Sequence, residues 1–90
     1  MRKVARTAAF KRVAKKMQRQ GKDMNLLGVA ILLLAQNTPF PSQYNDHALK
    51  GTWKGCREAH IQPDWLLIYH IEDNIVYLDR TGSHTELLNL

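Results

Sequence analysis

The run Trp65-Leu66-Leu67-Ile68-Tyr69-His70-Ile71, then Glu72-Asp73-Asn74, then Ile75-Val76-Tyr77-Leu78-Asp79-Arg80, decides the fold. Its first part is apolar on both faces, the pattern of a central strand. Glu-Asp-Asn is turn chemistry, and the second apolar run is expected to return antiparallel. Upstream, Pro63 turns the chain, and the weak alternation of Trp53 to Ala59 predicts a further strand before it. The result is a small meander with ionisable side chains at the ends of its strands. A sheet can present charge there without burying it in its middle.

The N-terminal half has a different period. Thr7 is placed to cap a helix in which Phe10, Val13, Ala14 and Met17 share one face, while Lys11, Arg12, Lys15, Lys16 and Arg19 occupy the others. Gly21 can adopt the left-handed conformation that ends such a helix. Asp23 can cap a second one, running through Met24, Leu27, Ala30, Ile31 and Leu34 to about Gln36, whose near-continuous apolar surface calls for burial. Pro39 and Pro41 break that helix, and a loop leads to Gly51. Arg2 to Arg6 is either an edge strand or a lead-in. Helices first and a meander afterward predict an α+β fold, two N-terminal helices packed on one face of a small, mainly antiparallel sheet, with residues 1–90 as a single domain.

Charge is distributed unevenly. Nine Lys or Arg and no acid lie between Met1 and Lys22, against four bases and eight acids from Asp23 onward. A dense basic segment attracts a polyanion through counterion release, which makes nucleic acid the first candidate partner. The single cysteine, Cys56, leaves no internal disulfide, and no cysteine-based zinc site is expected. The apolar run Leu26 to Ala35 is about half the roughly 20 residues a membrane span requires. A cytoplasmic protein without a membrane partner is therefore expected.

The residues with chemistry to offer are His47, His60, Asp64, Arg80 and His84. The Pro63 turn sets His60 and Asp64 at one end of a hairpin, and an antiparallel return brings Arg80 and His84 to the same end. Imidazoles titrate nearest neutrality, so several in one cleft supply both a proton acceptor and a proton donor. A guanidinium added to them fits phosphodiester cleavage in RNA, whose 2′-hydroxyl is its own nucleophile, with no metal or other cofactor required. His60, Asp64 and His84 are alternatively a metal-ligand set, which predicts a metal-dependent nuclease. His70, inside the central strand, reads as a packed residue.

Three motifs in order, Asp46-His47-Ala-Leu49-Lys50-Gly51-x-Trp53-Lys54-Gly55, Arg57-Glu58-x-His60-Ile-x-Pro63-Asp64-Trp65 and Arg80-Thr81-Gly82-Ser83-His84, resemble the YafQ branch of the RelE/ParE toxin superfamily. The resemblance spans essentially the whole chain. It implies a RelE-like fold and a ribosome-dependent endoribonuclease, an mRNA interferase that cuts mRNA in the ribosomal A site and is silenced by a cognate antitoxin. By the same resemblance His47, His60, Asp64 and His84 are the acid/base set, with Arg80 on the scissile phosphate and Trp65 shaping the pocket. Lys50, Lys54 and Arg57 would join Trp65 on the RNA, and Lys11, Arg12, Lys15, Lys16 and Arg19 would hold ribosomal RNA. Two departures from the branch are Cys56, where an aromatic is common and which reads as a packing change, and Leu88, where the branch often carries an aromatic. A non-catalytic module binding antitoxin or RNA through the same fold is the competing reading.

Overall fold

The computed structural model describes residues 1–88, the side chain of Leu88 excepted, so the reading placed on that side chain lies outside the described residues. In chain order the elements are β1 (Lys3–Arg6), α1 (Ala8–Arg19), α2 (Met24–Ala35), β2 (His47–Ala48), β3 (Arg57–Gln62), β4 (Trp65–Glu72), β5 (Ile75–Gly82) and α3 (His84–Leu88), with 3-10 turns at Ser42–Tyr44 and Gly51–Trp53. The sheet order is β1-β5-β4-β3-β2, which makes β4 the central strand. Only β1 runs parallel to its neighbour; the other pairings are antiparallel. The N-terminal segment is thus an edge strand, laid beside β5 before α1 begins.

Both helices start where the sequence predicts. The Thr7 hydroxyl accepts from the Phe10 amide and the Asp23 carboxylate from the Asn25 amide, each meeting a donor that the helix itself leaves unpaired. On the helix side of the sheet, Phe10, Met17, Leu27, Ala30 and Leu34 pack against Ala59, Trp65, Leu67, Tyr69, Val76 and Leu78. The other side of β4 forms a smaller cluster, in which Leu66 and Ile68 meet Leu87 with Leu49, Trp53 and Cys56 at its edge. A strand with core on both sides is why Trp65 to Tyr69 carries no charged residue.

Three expectations need correction. The strand predicted over Trp53 to Ala59 begins at Arg57, because Gly51 and Gly55 take φ of +66° and +95° and fold the preceding stretch into a tight turn. The burial expected of α2 holds for one face, since Val29 and Leu32 remain 51% and 47% exposed. The loop after α2 holds a two-residue strand, β2, and a third helix follows β5, neither of which the pattern predicts.

Candidate active site

Along β3, alternation sends Glu58 and His60 to the same face. His47 on β2 lies opposite Glu58. On β4, Ile68 lies opposite Glu58 and Leu66 opposite His60. On β5, Arg80 and Gly82 lie opposite Ile68 and Leu66. Directly opposed residues share a face, so His47, Glu58, His60 and Arg80 all rise from the side of the sheet that α1 and α2 leave open.

His84 reaches this face by a different route. Gly82, at φ +148°, leads out of β5, and a Cβ built on it would stand against Leu87. Ser83 then starts α3 by a reciprocal pair of bonds. Its hydroxyl accepts from the Glu86 amide and the Glu86 carboxylate accepts from the Ser83 amide, both at 3.2 Å. His84 is the first residue of that helix. Its ring centre stands 5.6 Å from that of His60, which in turn stands 6.2 Å from that of His47. Three imidazoles therefore form a row.

Two carboxylates flank the row. Asp64, in the β3–β4 turn, contacts the His84 ring Nδ1 at 3.1 Å and accepts from the His84 amide at 3.2 Å, and these bonds hold its carboxyl below the ordinary value. Glu58 is buried, and its Oε1 lies 3.6 Å from His60 Nε2 and 3.8 Å from His47 Nε2. Sequence reasoning misses Glu58, because the spacing Glu58-x-His60 singles it out only once the strand and its register with His47 are known. Arg80 holds its guanidinium carbon 5.9 Å from the centre of the Trp53 ring, and its buried Nε finds no hydrogen-bond partner among the described residues. A cavity of about 460 Å³, lined by Leu26, Gln43, Tyr44, Asn45 and Gln62, opens beside His60.

Other predicted residues lie elsewhere. Trp65 is fully buried on the helix side, its indole N–H donating to the Thr81 hydroxyl at 2.9 Å, so the expectation that it contacts RNA is withdrawn: a ring without exposed surface cannot stack on a base. Trp53, part exposed on the open side, is the aromatic near Arg80. Arg57 sits on the helix-side face opposite Tyr69, tied to Asp46 by its Nε at 3.2 Å. Lys50 and Lys54 are exposed on either side of the Trp53 turn. Lys11, Arg12, Lys15 and Arg19 are exposed on α1, across the sheet from the imidazoles, while Lys16 reaches Glu86 of α3 at 3.3 Å. Of the metal-ligand set His60, Asp64 and His84, the compact grouping has Glu58 in place of Asp64: donor atoms of Glu58, His60 and His84 lie within 4.8 Å of one another.

Residues 2–89 match the family model described as bacterial toxin of type II toxin-antitoxin system, YafQ. The mRNA interferase toxin YafQ of Escherichia coli K12 is 46% identical over 79 residues, which are 87% of this chain and 86% of that protein. YafQ in the crystal structure of the E. coli DinJ-YafQ complex superposes with a TM-score of 0.89 at 41% identity, covering 97% of this chain and 98% of that one. A copper-bound mutant toxin from Helicobacter pylori superposes with a TM-score of 0.93 at 41% identity, covering 97% and 99%.

Proposed function

This chain belongs to the YafQ family of bacterial type II toxins, and from that premise we propose that it is an endoribonuclease, an mRNA interferase acting on mRNA in the ribosomal A site. The observation that carries the reading is the row of three imidazoles on the sheet face that also bears Arg80. His60, in the middle of the row, or its neighbour His47 takes the proton of the RNA 2′-hydroxyl as that oxygen attacks phosphorus. Arg80 balances the charge that collects on the phosphorane oxygens. The bond from phosphorus to the 5′ oxygen then breaks, and His84 supplies the proton that the leaving oxygen needs. The products are a 2′,3′-cyclic phosphate and a 5′-hydroxyl. Asp64 acts by holding the His84 ring, and Glu58 sits as a counter-charge behind the other two.

The partner of the similar E. coli protein in its complex, DinJ, supports a cognate antitoxin for this chain. Such an antitoxin silences it by filling the cleft over the imidazoles or by covering the basic helix, which is also the surface offered to ribosomal RNA. Among the described residues no helix is long and apolar enough to cross a membrane; the cytoplasmic site of action proposed here follows from the target, mRNA on the ribosome.

Cleavage mapped on translating ribosomes, wild type beside His84→Ala, tests the reading. Loss of a general acid should slow message cleavage by about 10²–10⁴-fold. Growth arrest with cleavage unchanged in the variant refutes the acid role, and binding without cleavage in the wild type favours the non-catalytic module. The grouping of Glu58, His60 and His84 also favours a metal-dependent nuclease as a second reading. Activity unchanged by chelator removes it; activity lost to chelator and restored by a divalent ion replaces the metal-free route.

A further inference from the structure

Cys56, His70 and Asp79 take no part in the chemistry above, yet they meet. The Cys56 thiol donates to Asp79 Oδ2 at 3.7 Å, and His70 Nδ1 lies 2.6 Å from the same oxygen. These three donor atoms lie within 4.8 Å of one another, and all three residues are half-buried. We propose that they form a cation site, distinct from the imidazole row, with a sulfur, nitrogen and oxygen donor set suited to Zn²⁺ and a fourth position left to water.

Strand geometry explains how the three side chains converge. Ile68 lies opposite Arg80 and Tyr69 opposite Leu78, so Asp79 has no opposite residue and is the extra residue of a bulge, the feature that re-aims a side chain at a sheet face. His70 is opposite Tyr77, whose ring stacks on it at 4.7 Å with only 6° between planes and so fixes the imidazole. With Nδ1 directed at Asp79, the other ring nitrogen stands 3.9 Å from a Glu72 carboxylate oxygen. A carboxylate behind the non-ligating nitrogen is the usual way in which a metal-bound histidine is oriented.

The fit is also metrical. Zinc bonds of about 2.3 Å to sulfur and 2.0–2.2 Å to nitrogen and oxygen, in tetrahedral arrangement, set the donors roughly 3.3–3.7 Å apart. The Cys56–Asp79 separation already meets this, and the His70–Asp79 contact has to open by less than about 1 Å. On binding, the thiol proton goes to solvent and the His70 proton moves from Nδ1 to the nitrogen facing Glu72, leaving thiolate and imidazole lone pairs on the ion. The ion would clamp the segment before β3 to the bulge of β5, across β4 and next to Arg80.

Co²⁺ is the probe, titrated into the purified full chain and then displaced by Zn²⁺. The wild type should show the thiolate-to-cobalt charge-transfer absorption at one ion per chain and should unfold at a higher temperature when loaded. Cys56→Ser should abolish the absorption. His70→Gln and Asp79→Asn should each weaken Co²⁺ binding at least tenfold, and Glu72→Gln by about tenfold. His84→Ala should leave absorption and affinity intact, which separates this site from the one built on Glu58, His60 and His84. Absence of the absorption in the folded wild type overturns the proposal. So does an absorption whose affinity is unchanged in both His70→Gln and Asp79→Asn, because the ion would then be held by a lone thiol.

Discussion

His84 Nδ1 and the His84 amide both meet one carboxylate oxygen of Asp64, a pairing made at the surface between residues twenty positions apart. The ring bond, then the amide bond, lowers the Asp64 pKa, so the interaction is fully present above the ordinary carboxyl value of 3.8 and is lost as pH falls through the lowered one. The His84 amide resonance should therefore titrate with a midpoint below 3.8 and stop titrating in Asp64→Asn. A midpoint at or above that value would show that the two residues do not meet in solution. At this scale the residue types are legible in the sequence and their pairings are not. Hairpin reasoning sets Asp64 beside His60, whereas it serves His84. Glu58 escapes notice because a lone acid on a strand carries no special pattern; only the register with His47 and His60 gives it a place. Trp65 misleads for the opposite reason: an aromatic at a strand end has the same spelling whether it faces core or solvent, and here the Thr81 hydroxyl satisfies its N–H inside.

Among the elements, α1 is held at its start by one side chain. The Thr7 hydroxyl accepts from the Phe10 amide at 3.0 Å and donates to the Asp79 carbonyl at 2.8 Å, so it caps the helix and ties it to the β5 bulge at once. Thr7→Ala loses a cap worth about 1 kcal/mol and a hydrogen bond worth about 1 more. In a domain of this size that loss should lower the melting temperature by roughly 8–16 °C, and Thr7→Ser should restore most of it. A melting temperature unchanged in Thr7→Ala would mean that water replaces both bonds. Caps such as Thr7 and Asp23, and the long apolar run of β4, are legible because each is written in contiguous residues. β2 and α3 are not, being two and five residues long with no period to detect. For α3 one local sign is available, since Ser83 and Glu86 stand at the spacing of a reciprocal cap. Its consequence is functional: that cap sets the first turn, from which His84 projects.

For the whole molecule, the two halves of the sequence become two sides of one sheet. The imidazole row lies on the open side, whereas α1 carries Lys11, Arg12, Lys15 and Arg19 into solvent from the covered side. The sides join at one end, where Lys16 reaches Glu86 of α3 and the Lys22 charge acts on Asp64. A chain bound through α1 to ribosomal RNA would then keep its cleft facing the message, and binding and cutting should be separable. Replacing Lys11, Arg12 and Lys15 together by Gln should weaken ribosome association. It should also flatten the dependence of log affinity on log salt by about 0.7–0.9 for each phosphate no longer neutralised, roughly 2–3 in all. The His84→Ala chain should bind with the wild-type salt slope, because the imidazole it lacks lies on the other side of the sheet. An unaltered slope in the triple variant would remove α1 from the ribosome-binding surface and shift that role to the exposed Lys50 and Lys54, which flank Trp53 on the cleft side.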